Sequence, residues 1–164
     1  AHPASARILT KMTAKIEKFC EKNAQLFRNS RIQINKEKKQ HFFGSINISL
    51  FHMLLMNLLS NAIMHNVNIL PEILISFSQT RKHVLITFLD NGIGFEKSQT
   101  KKIFKKFYQI NRSGRSYAGG TGLGLYMVAQ AVKFHNGKIS AESEGAGKGA
   151  QFTIFLPRQN PLPD

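Results

Sequence analysis

Hydrophobic positions recur at helical spacing in three parts of the chain, and each of these parts is a predicted helix. Apolar residues at helical spacing predict an amphipathic helix over about residues 5–28, with lysines on its solvent-facing side. A longer apolar stripe over residues 51–62 follows the i, i+3, i+4, i+7 pattern and predicts a second helix. A third helix is expected over about residues 125–132, ended by the His-Asn-Gly sequence at 135–137.

Short apolar segments between these helices predict three strand pairs, each a hairpin. The pairs are 31–35 with 41–46, 72–78 with 83–89, and 138–144 with 151–156. Segment 83–89 is apolar on both faces, which predicts a central strand buried on both sides. The order of elements predicts an α/β two-layer sandwich, in which helices cover one face of a mixed, mostly antiparallel sheet. A single domain is expected over residues 1–164, with its core at about 5–157 and a tail from 158.

Composition excludes several classes of protein. The chain has 164 residues, 42% of them hydrophobic, which suits one domain of ordinary size. Its single cysteine, Cys20, excludes an internal disulfide framework and is typical of a reducing compartment. No segment approaches the roughly 18 apolar residues of a membrane span. The first residues lack an initiator Met and a signal-peptide pattern, so we interpret the chain as a fragment of a longer polypeptide.

The charge is strongly positive and unevenly distributed. Twenty-three basic residues against nine acidic ones give a net charge of +14, and the excess lies in residues 1–50 and 96–118. Such patches are typical of proteins that bind an acidic protein, nucleic acid or anionic lipid, although a merely solvated surface is an equally good interpretation. Aromatic residues that could stack on bases are not interleaved with the patches, which argues against a nucleic-acid partner.

Neutral polar side chains follow one face of the second predicted helix. Asn57 and Asn61 are four residues apart and therefore share that face, which His65 and Asn68 extend. An exposed helix face would normally carry Lys and Glu, so this composition indicates a cleft lined by hydrogen-bonding groups. Carboxamide oxygens also suit Mg²⁺, which binds few protein groups and keeps waters and phosphates.

Two glycine-containing segments add further candidate chemistry. Residues 90–94, Asp-Asn-Gly-Ile-Gly, follow the central strand, so Asp90 is either a turn former or a specific acceptor, and the glycines permit close approach of a flat ligand. Residues 119–125 lead into the third helix, where successive N–H groups and the helix dipole favour an anion. Neither a Walker A lysine nor a Rossmann strand–loop–helix unit accompanies this glycine-rich loop.

Together these segments resemble the catalytic ATP-binding domain of sensor histidine kinases, within the superfamily shared with gyrase, mismatch-repair and heat-shock chaperone ATPases. The matching motifs, in the family's order, are the N box at 57–62, the G1 box at 90–95, the F box at 102–108, the G2 box at 120–125, and the closing segments 135–139 and 149–157. The resemblance implies a Bergerat-type ATP-binding fold with ATP and Mg²⁺ as cofactors.

The resemblance also implies roles for individual residues. Asp90 would accept a hydrogen bond from the adenine amino group, with Gly92 and Gly94 near the ring and Thr153 as a second adenine contact. Asn61 would hold Mg²⁺ as the metal ligand, and Asn57 would support the metal or the phosphates, so these two residues carry the catalytic role.

Residues 96–120 would form a mobile, basic lid over the phosphates, which Phe104 and Phe107 would anchor to the core. Many relatives carry basic residues where this chain has Met64 and Gln109, and a nearby residue would have to compensate. The remaining residues that the resemblance assigns to ATP binding are His65, Lys105, Tyr108, Arg112, Arg115, Gly120, Thr121, Gly122, Leu123, Gly124 and Leu125.

The implied activity is transfer of the γ-phosphate of ATP to a histidine on a separate helical dimerisation domain, and from there to a response regulator receiver domain. Asn57 stands where gyrase-type relatives have a Glu general base, so efficient ATP hydrolysis is not expected. None of the six histidines resembles the phosphoacceptor, because none has the acceptor's sequence context.

We expect a cytoplasmic domain of a sensor kinase, whether or not that kinase is membrane-anchored, with no direct membrane contact and no nucleic-acid partner. Three alternatives remain: an anti-sigma-factor serine kinase, a degenerate nucleotide-sensing domain and a basic nucleic-acid binder. The first is disfavoured by Asn57, and the second by the intact glycines of the G1 and G2 boxes.

Overall fold

Three helices lie against one face of a five-stranded sheet in the computed structural model, which describes residues 8–35, 40–110 and 120–160. The helices are α1 (Met12–Lys22), α2 (Ile48–Met64) and α3 (Gly124–Phe134). The strands are β1 (Ile8–Lys11), β2 (Arg31–Ile34), β3 (Phe43–Ile46), β4 (Glu72–Gln79), β5 (His83–Asp90), β6 (Lys138–Glu142) and β7 (Gln151–Pro157). Within the described ranges, no helix has the length and apolar character needed to cross a lipid bilayer.

The main sheet has the strand order β2-β4-β5-β7-β6, in which only the β2–β4 pair is parallel. This arrangement confirms the predicted fold class and the central position of β5. The prediction that β5 is buried on both faces is wrong, however. Val84, Ile86 and Phe88 face the helices and are buried, whereas Leu89 on the other face is 43% exposed. The helices cover one face only, so an apolar residue there is no proof of burial.

The first predicted helix is too long at both ends. Residues Ile8–Lys11 form β1, which pairs antiparallel with β3, and the Met12 N–H donates to the Phe42 carbonyl. At the other end, the Asn23 side chain donates to the Phe19 carbonyl at 2.8 Å and closes the helix. Strand pairing and a polar cap therefore override the apolar spacing on which the prediction was based.

The predicted hairpin of residues 31–35 with 41–46 is also wrong. Strand β2 pairs in parallel with β4, whereas β3 pairs with β1 in a separate two-stranded sheet. Residues 36–39, the charged turn of that hairpin, lie outside the described residues. The other two predicted hairpins, β4–β5 and β6–β7, are confirmed. Two of the three pairings predicted between neighbouring segments are thus correct, whereas the pairings of distant segments, β1 with β3 and β2 with β4, were not predicted.

The predicted stripe of α2 forms the middle of the core. This helix packs against α3 and β4. Its buried residues are Phe51, Leu54, Leu55, Leu58, Leu59 and Ala62, as the spacing predicts. Burying one face in this way leaves the Asn57 and Asn61 face beside the core rather than in it, where it can line a cleft.

A buried histidine joins the end of α3 to the beginning of α2. His135 is only 2% exposed, and its Nε2 accepts a hydrogen bond from the Asn47 N–H at 2.9 Å. Its Nδ1 lies 2.6 Å from the Ala131 carbonyl, to which it donates in the tautomer that the first bond requires. Asn47 in turn caps α2, because its Oδ1 accepts from the Leu50 N–H at 3.0 Å. His135 thus has a structural role, which agrees with the exclusion of this residue as a phosphoacceptor.

We predict that His135→Ala lowers the free energy of unfolding by about 2–4 kcal/mol, because it leaves a cavity and an unpaired backbone N–H at the helix cap. Urea denaturation measures this loss, and His41→Ala serves as the control because His41 is exposed. Equal unfolding midpoints for the two variants would contradict the role given to His135.

Candidate functional site

A cleft of about 320 Å³ lies between α2, the turn after β5, the beginning of α3 and residues 103–110. It brings together most of the site residues predicted from the sequence. The predicted residues that line it are Asn57, Asn61, His65, Asp90, Gly94, Tyr108, Gly120, Thr121, Gly122, Gly124 and Leu125. Residues from four separate motifs therefore share one cleft.

Some predicted residues do not line the cleft. Gly92 and Leu123 lie behind the lining and are hydrogen-bonded to residues that belong to it. The Gly92 N–H donates to Asp90, and the Leu123 N–H donates to Thr121 Oγ1. Lys105 is exposed at the surface. Arg112 and Arg115 lie outside the described residues, as does the rest of the predicted lid between 111 and 119.

Thr153 is not brought into the cleft. Its neighbour Phe152 lines the cleft, and alternation along β7 therefore turns Thr153 to the opposite face of the sheet. On that face its Oγ1 lies 3.4 Å from Thr87 Oγ1. The pleat of the strand thus places Thr153 outside the lining of the cleft, contrary to its predicted position.

Ala150 is a cleft residue that the sequence analysis missed. Its N–H donates to Asp90 Oδ1 at 3.1 Å, and it lies two residues before Phe152 on the same face of the chain. The apolar walls were missed as well, although the amphipathic spacing around Ile103 was a usable signal. These walls comprise Ile93, Phe95, Ile103, Ile110 and Phe152.

The carboxylate of Asp90 is held through one oxygen. Oδ1 accepts from the Gly92 N–H at 2.8 Å and from the Ala150 N–H at 3.1 Å. Within the described part of the chain, Oδ2 has no hydrogen-bond donor, so it remains able to accept one from a molecule in the cleft. Burial raises the pKa of Asp90 above its ordinary value, and the two backbone N–H groups oppose this rise.

Two positions in the turn after Asp90, Gly92 and Gly94, leave no room for a side chain. Gly94 has φ of 58°, and a Cβ there would lie 2.6 Å from Ser143 Oγ. A Cβ on Gly92 would lie 2.7 Å from the His65 carbonyl oxygen. Both glycines are therefore required by packing of the chain on itself, whereas the sequence analysis related them to approach of a ligand.

The two amides of α2 face the first residue of α3. Asn57 Nδ2 donates to the Met53 carbonyl at 2.9 Å, which fixes the direction of its side chain. Its Oδ1 lies 3.0 Å from the position of a Cβ on Gly124, and Asn61 Nδ2 lies 3.9 Å from that position. Only a residue without a side chain gives this close approach of the amide pair to the end of a helix.

The beginning of α3 supplies backbone donors at the same end of the cleft. The first turn of an α-helix leaves its N–H groups without acceptors inside the helix, and the helix dipole adds a partial positive charge. Gly122 precedes this turn with φ of 69°, and its carbonyl accepts from the Phe107 N–H at 2.9 Å. This end of the cleft is thus suited to an anion.

The anchoring of the lid differs from the prediction. Phe104 packs edge-on against Phe152, with ring centroids 6.2 Å apart, in agreement with the prediction. Phe107 is 66% exposed, so its side chain does not anchor the lid, and Ile103 is buried in its place. Gln109 Nε2 donates to the Gly120 carbonyl, which joins the described residues on the two sides of segment 111–119.

The described lining of the cleft contains no Lys or Arg. His65 does not replace them at neutral pH, because burial lowers its pKa and keeps the ring uncharged. The described residues also contain no cluster of three His, Cys, Asp or Glu side chains able to hold a metal ion.

We predict that Asp90→Asn makes the ligand-free chain more stable at neutral pH. Because the pKa of Asp90 is raised in the fold, its contribution to stability is lost as the pH rises through that pKa. Asn keeps an oxygen for the two backbone donors and carries no charge. The stability difference, measured by urea unfolding, should shrink as the pH falls towards the ordinary Asp value of 3.8. A destabilised variant at neutral pH would contradict this account.

The chain is similar to known ATPase domains in its sequence and in its fold. The sequence profile of the family described as histidine kinase-, DNA gyrase B-, and HSP90-like ATPases matches residues 46–160. Sensor histidine kinase TmoS of Ectopseudomonas mendocina is 36% identical over 131 residues, which are 79% of this chain and 13% of that protein. The chain thus spans only a small part of this curated relative.

Two solved structures have the same fold. The mycobacterial sensor histidine kinase MprB superposes with a TM-score of 0.77 at 21% identity, covering 94% of this chain and 99% of that one. Full-length ShkA, crystallised in complex with AMPPNP, superposes with a TM-score of 0.77 at 18% identity, covering 96% of this chain and 32% of that one. The chain therefore belongs to the family of histidine kinase-, DNA gyrase B- and HSP90-like ATPases, and its resemblance to the catalytic ATP-binding domain of sensor histidine kinases is confirmed.

Proposed function

We propose that this chain binds Mg·ATP in the cleft and donates the γ-phosphoryl group to a histidine on a separate helical dimerisation domain. One observation carries this proposal. A single cleft combines a carboxylate with an oxygen available to a ligand, Asp90, with an amide pair that faces the N-terminus of α3. The first feature suits a base with an amino group, and the second suits phosphates.

Adenine would bind at the Asp90 end. Asp90 Oδ2 would accept a hydrogen bond from the exocyclic amino group, while Oδ1 stays with Gly92 and Ala150. Ile103 and Phe152 supply apolar walls for the ring. Guanine places a carbonyl oxygen where adenine has its amino group, and that oxygen would repel the carboxylate. The cleft should therefore discriminate between the two purines.

The phosphates would bind at the α3 end. Backbone N–H groups of Gly122, Gly124 and Leu125, which line the cleft, would donate to phosphate oxygens, aided by the helix dipole. The donor set fits Mg²⁺, because amide oxygens are hard ligands and the ion takes its other ligands from phosphate and water. Asn61 would be the metal ligand, and Asn57, oriented by its bond to Met53, would support it. Bound Mg²⁺ would neutralise part of the phosphate charge.

The same side chains favour transfer to a protein over hydrolysis. Asn57 cannot accept a proton from water, and no other carboxylate than Asp90 lines the described part of the cleft. Asp90 is tied at the opposite end by two backbone donors. The nucleophile that attacks the γ-phosphate would thus have to come from another molecule or domain. This favours transfer to a histidine of a separate domain over hydrolysis.

The proposed partners follow from this chemistry. They are the helical domain that carries the acceptor histidine and the receiver domain of a response regulator, and the reaction would take place in the cytoplasm, where ATP is available. The basic excess of residues 1–50 and 96–118 would assist association with an acidic receiver surface.

We predict that Asp90→Asn weakens ATP binding by about 5- to 150-fold, because one polar contact to adenine is lost. Calorimetry at neutral pH measures the change, and Glu142→Gln, the same type of substitution at an exposed residue of β6, should leave the affinity unchanged. Wild-type chain should bind GTP much more weakly than ATP. Equal affinities for the two nucleotides would refute the role of Asp90.

We further predict that the isolated chain with Mg·[γ-³²P]ATP neither labels itself nor releases phosphate rapidly. Adding the acceptor-bearing helical domain should give protein phosphorylation that is labile in acid and stable in alkali, since positioning supplies much of the rate of phosphoryl transfer. Asn61→Ala should abolish this labelling, whereas Asn160→Ala, at an exposed residue, should not. Strong labelling of the isolated chain would place the acceptor among its own histidines.

A further inference from the structure

Ser143 lies just after β6, outside the cleft, and its hydroxyl is fully used in hydrogen bonds to backbone groups. Ser143 Oγ accepts from the Phe95 N–H at 3.1 Å and from the Gly145 N–H at 3.2 Å. Its proton has two carbonyl acceptors within reach, and it donates to the nearer one, Gly149 at 2.7 Å, rather than to Gly145 at 3.2 Å. A hydroxyl has one proton and two lone pairs, so this arrangement uses all of them.

One of these bonds leads directly to Asp90. The Gly149 carbonyl belongs to the same peptide group as the Ala150 N–H, which donates to Asp90 Oδ1 at 3.1 Å. This peptide group is therefore held at its oxygen by Ser143 and at its N–H by Asp90. Gly149 has φ of 71°, and a glycine restrains the orientation of its own peptide group less than any other residue. Ser143 supplies the restraint that the glycine lacks.

The bond from the Phe95 N–H to Ser143 leads to Gly94, which lines the cleft together with Asp90. Phe95, whose N–H Ser143 accepts, directly follows Gly94, and a Cβ on Gly94 would lie 2.6 Å from Ser143 Oγ. Further bonds join the same two loops, from the Gly147 N–H to the Ile93 carbonyl at 2.7 Å and from the Gly149 N–H to the Gly92 carbonyl at 3.0 Å. The turn 92–95 and the loop 143–149 are thus joined side by side, with Ser143 between them.

We propose that Ser143 is a positioning residue for recognition of the base, which acts by orienting the Gly149–Ala150 peptide group and the turn at Gly94. This inference rests on the proposed binding of ATP in the cleft. Ser143 does not itself line the cleft. It determines whether Asp90 keeps both of its backbone donors, and hence whether Oδ2 points steadily towards the base.

Loss of the Ser143 hydroxyl should affect only the Asp90 end of the cleft, where the base would bind. The phosphate end is built by Asn57, Asn61 and the beginning of α3, and none of these groups is hydrogen-bonded to the loop 143–149 within the described residues. Loss of the Ser143 hydroxyl should therefore weaken adenine recognition and leave phosphate binding nearly intact. A residue with a merely structural role would weaken all nucleotides alike.

The test compares ATP and GTP affinities of the full 164-residue chain by calorimetry. Ser143→Ala should weaken ATP binding by about 5- to 30-fold, the cost of a lost hydrogen bond at one site, and change GTP binding by less than about twofold. The ratio of the ATP affinity to the GTP affinity should therefore decrease. Ser143→Thr, which keeps the hydroxyl, should restore the preference, and Ser140→Ala in the same hairpin should not alter it.

The outcomes separate this inference from the proposed function. If the wild-type chain binds no ATP, the proposed function fails. If it binds ATP and Ser143→Ala lowers both affinities equally, or neither, the inference is overturned, as it is if Ser143→Thr behaves like Ser143→Ala. Should Ser143→Ala not fold, Ser143→Cys replaces it, because a thiol of similar size is a weak donor and should give the same base-selective loss.

Discussion

The pairing of Asp90 with Ala150 is the contact on which the candidate site depends. The Asp90 N–H donates to the Ala150 carbonyl at 2.9 Å, and the Ala150 N–H donates back to Asp90 Oδ1 at 3.1 Å. This exchange joins the end of β5 to the beginning of β7, at the point where the central strands leave the core. It turns an acidic residue towards the cleft and fixes one of its two oxygens. Burial raises the pKa of this carboxyl, so the ionised form of Asp90 is less favourable in the fold than in the unfolded chain.

The two ends of the cleft use different physical means. The Asp90 end contains a largely buried carboxyl group and two loops that are hydrogen-bonded to each other around Ser143. The α3 end presents backbone N–H groups, a helix dipole and the amides of Asn57 and Asn61, with no Lys or Arg among the described residues that line it. Neutral amides and backbone N–H groups suit a phosphate, and the described residues that line this end carry no permanent positive charge.

Sequence reasoning was most successful where local chemistry determines local structure. The stripe of α2, the β4–β5 and β6–β7 hairpins and the helix-starting loop at 120–125 all depend on residues that are close in the sequence. The predictions were wrong where a segment pairs with a distant part of the chain. Ile8 and Leu9 have helical spacing relative to Met12 and Ile16, but pairing with β3 makes them a strand. Residues 31–35 and 41–46 are neighbours in the sequence, yet β2 pairs with β4 and β3 pairs with β1, in two different sheets.

The sequence by itself determined the family, the fold class and most residues of the cleft, because motif residues such as Asn57, Asn61, Asp90 and Gly94 are specified by type and spacing. The tertiary structure alone decided that Thr153 faces away from the cleft, that Ala150 holds Asp90, and that Phe107 is exposed while Ile103 is buried. The physical reason is common to all three. Which face a strand residue occupies, and which backbone N–H meets a carboxylate, depends on strand register and on loops that meet from distant parts of the chain.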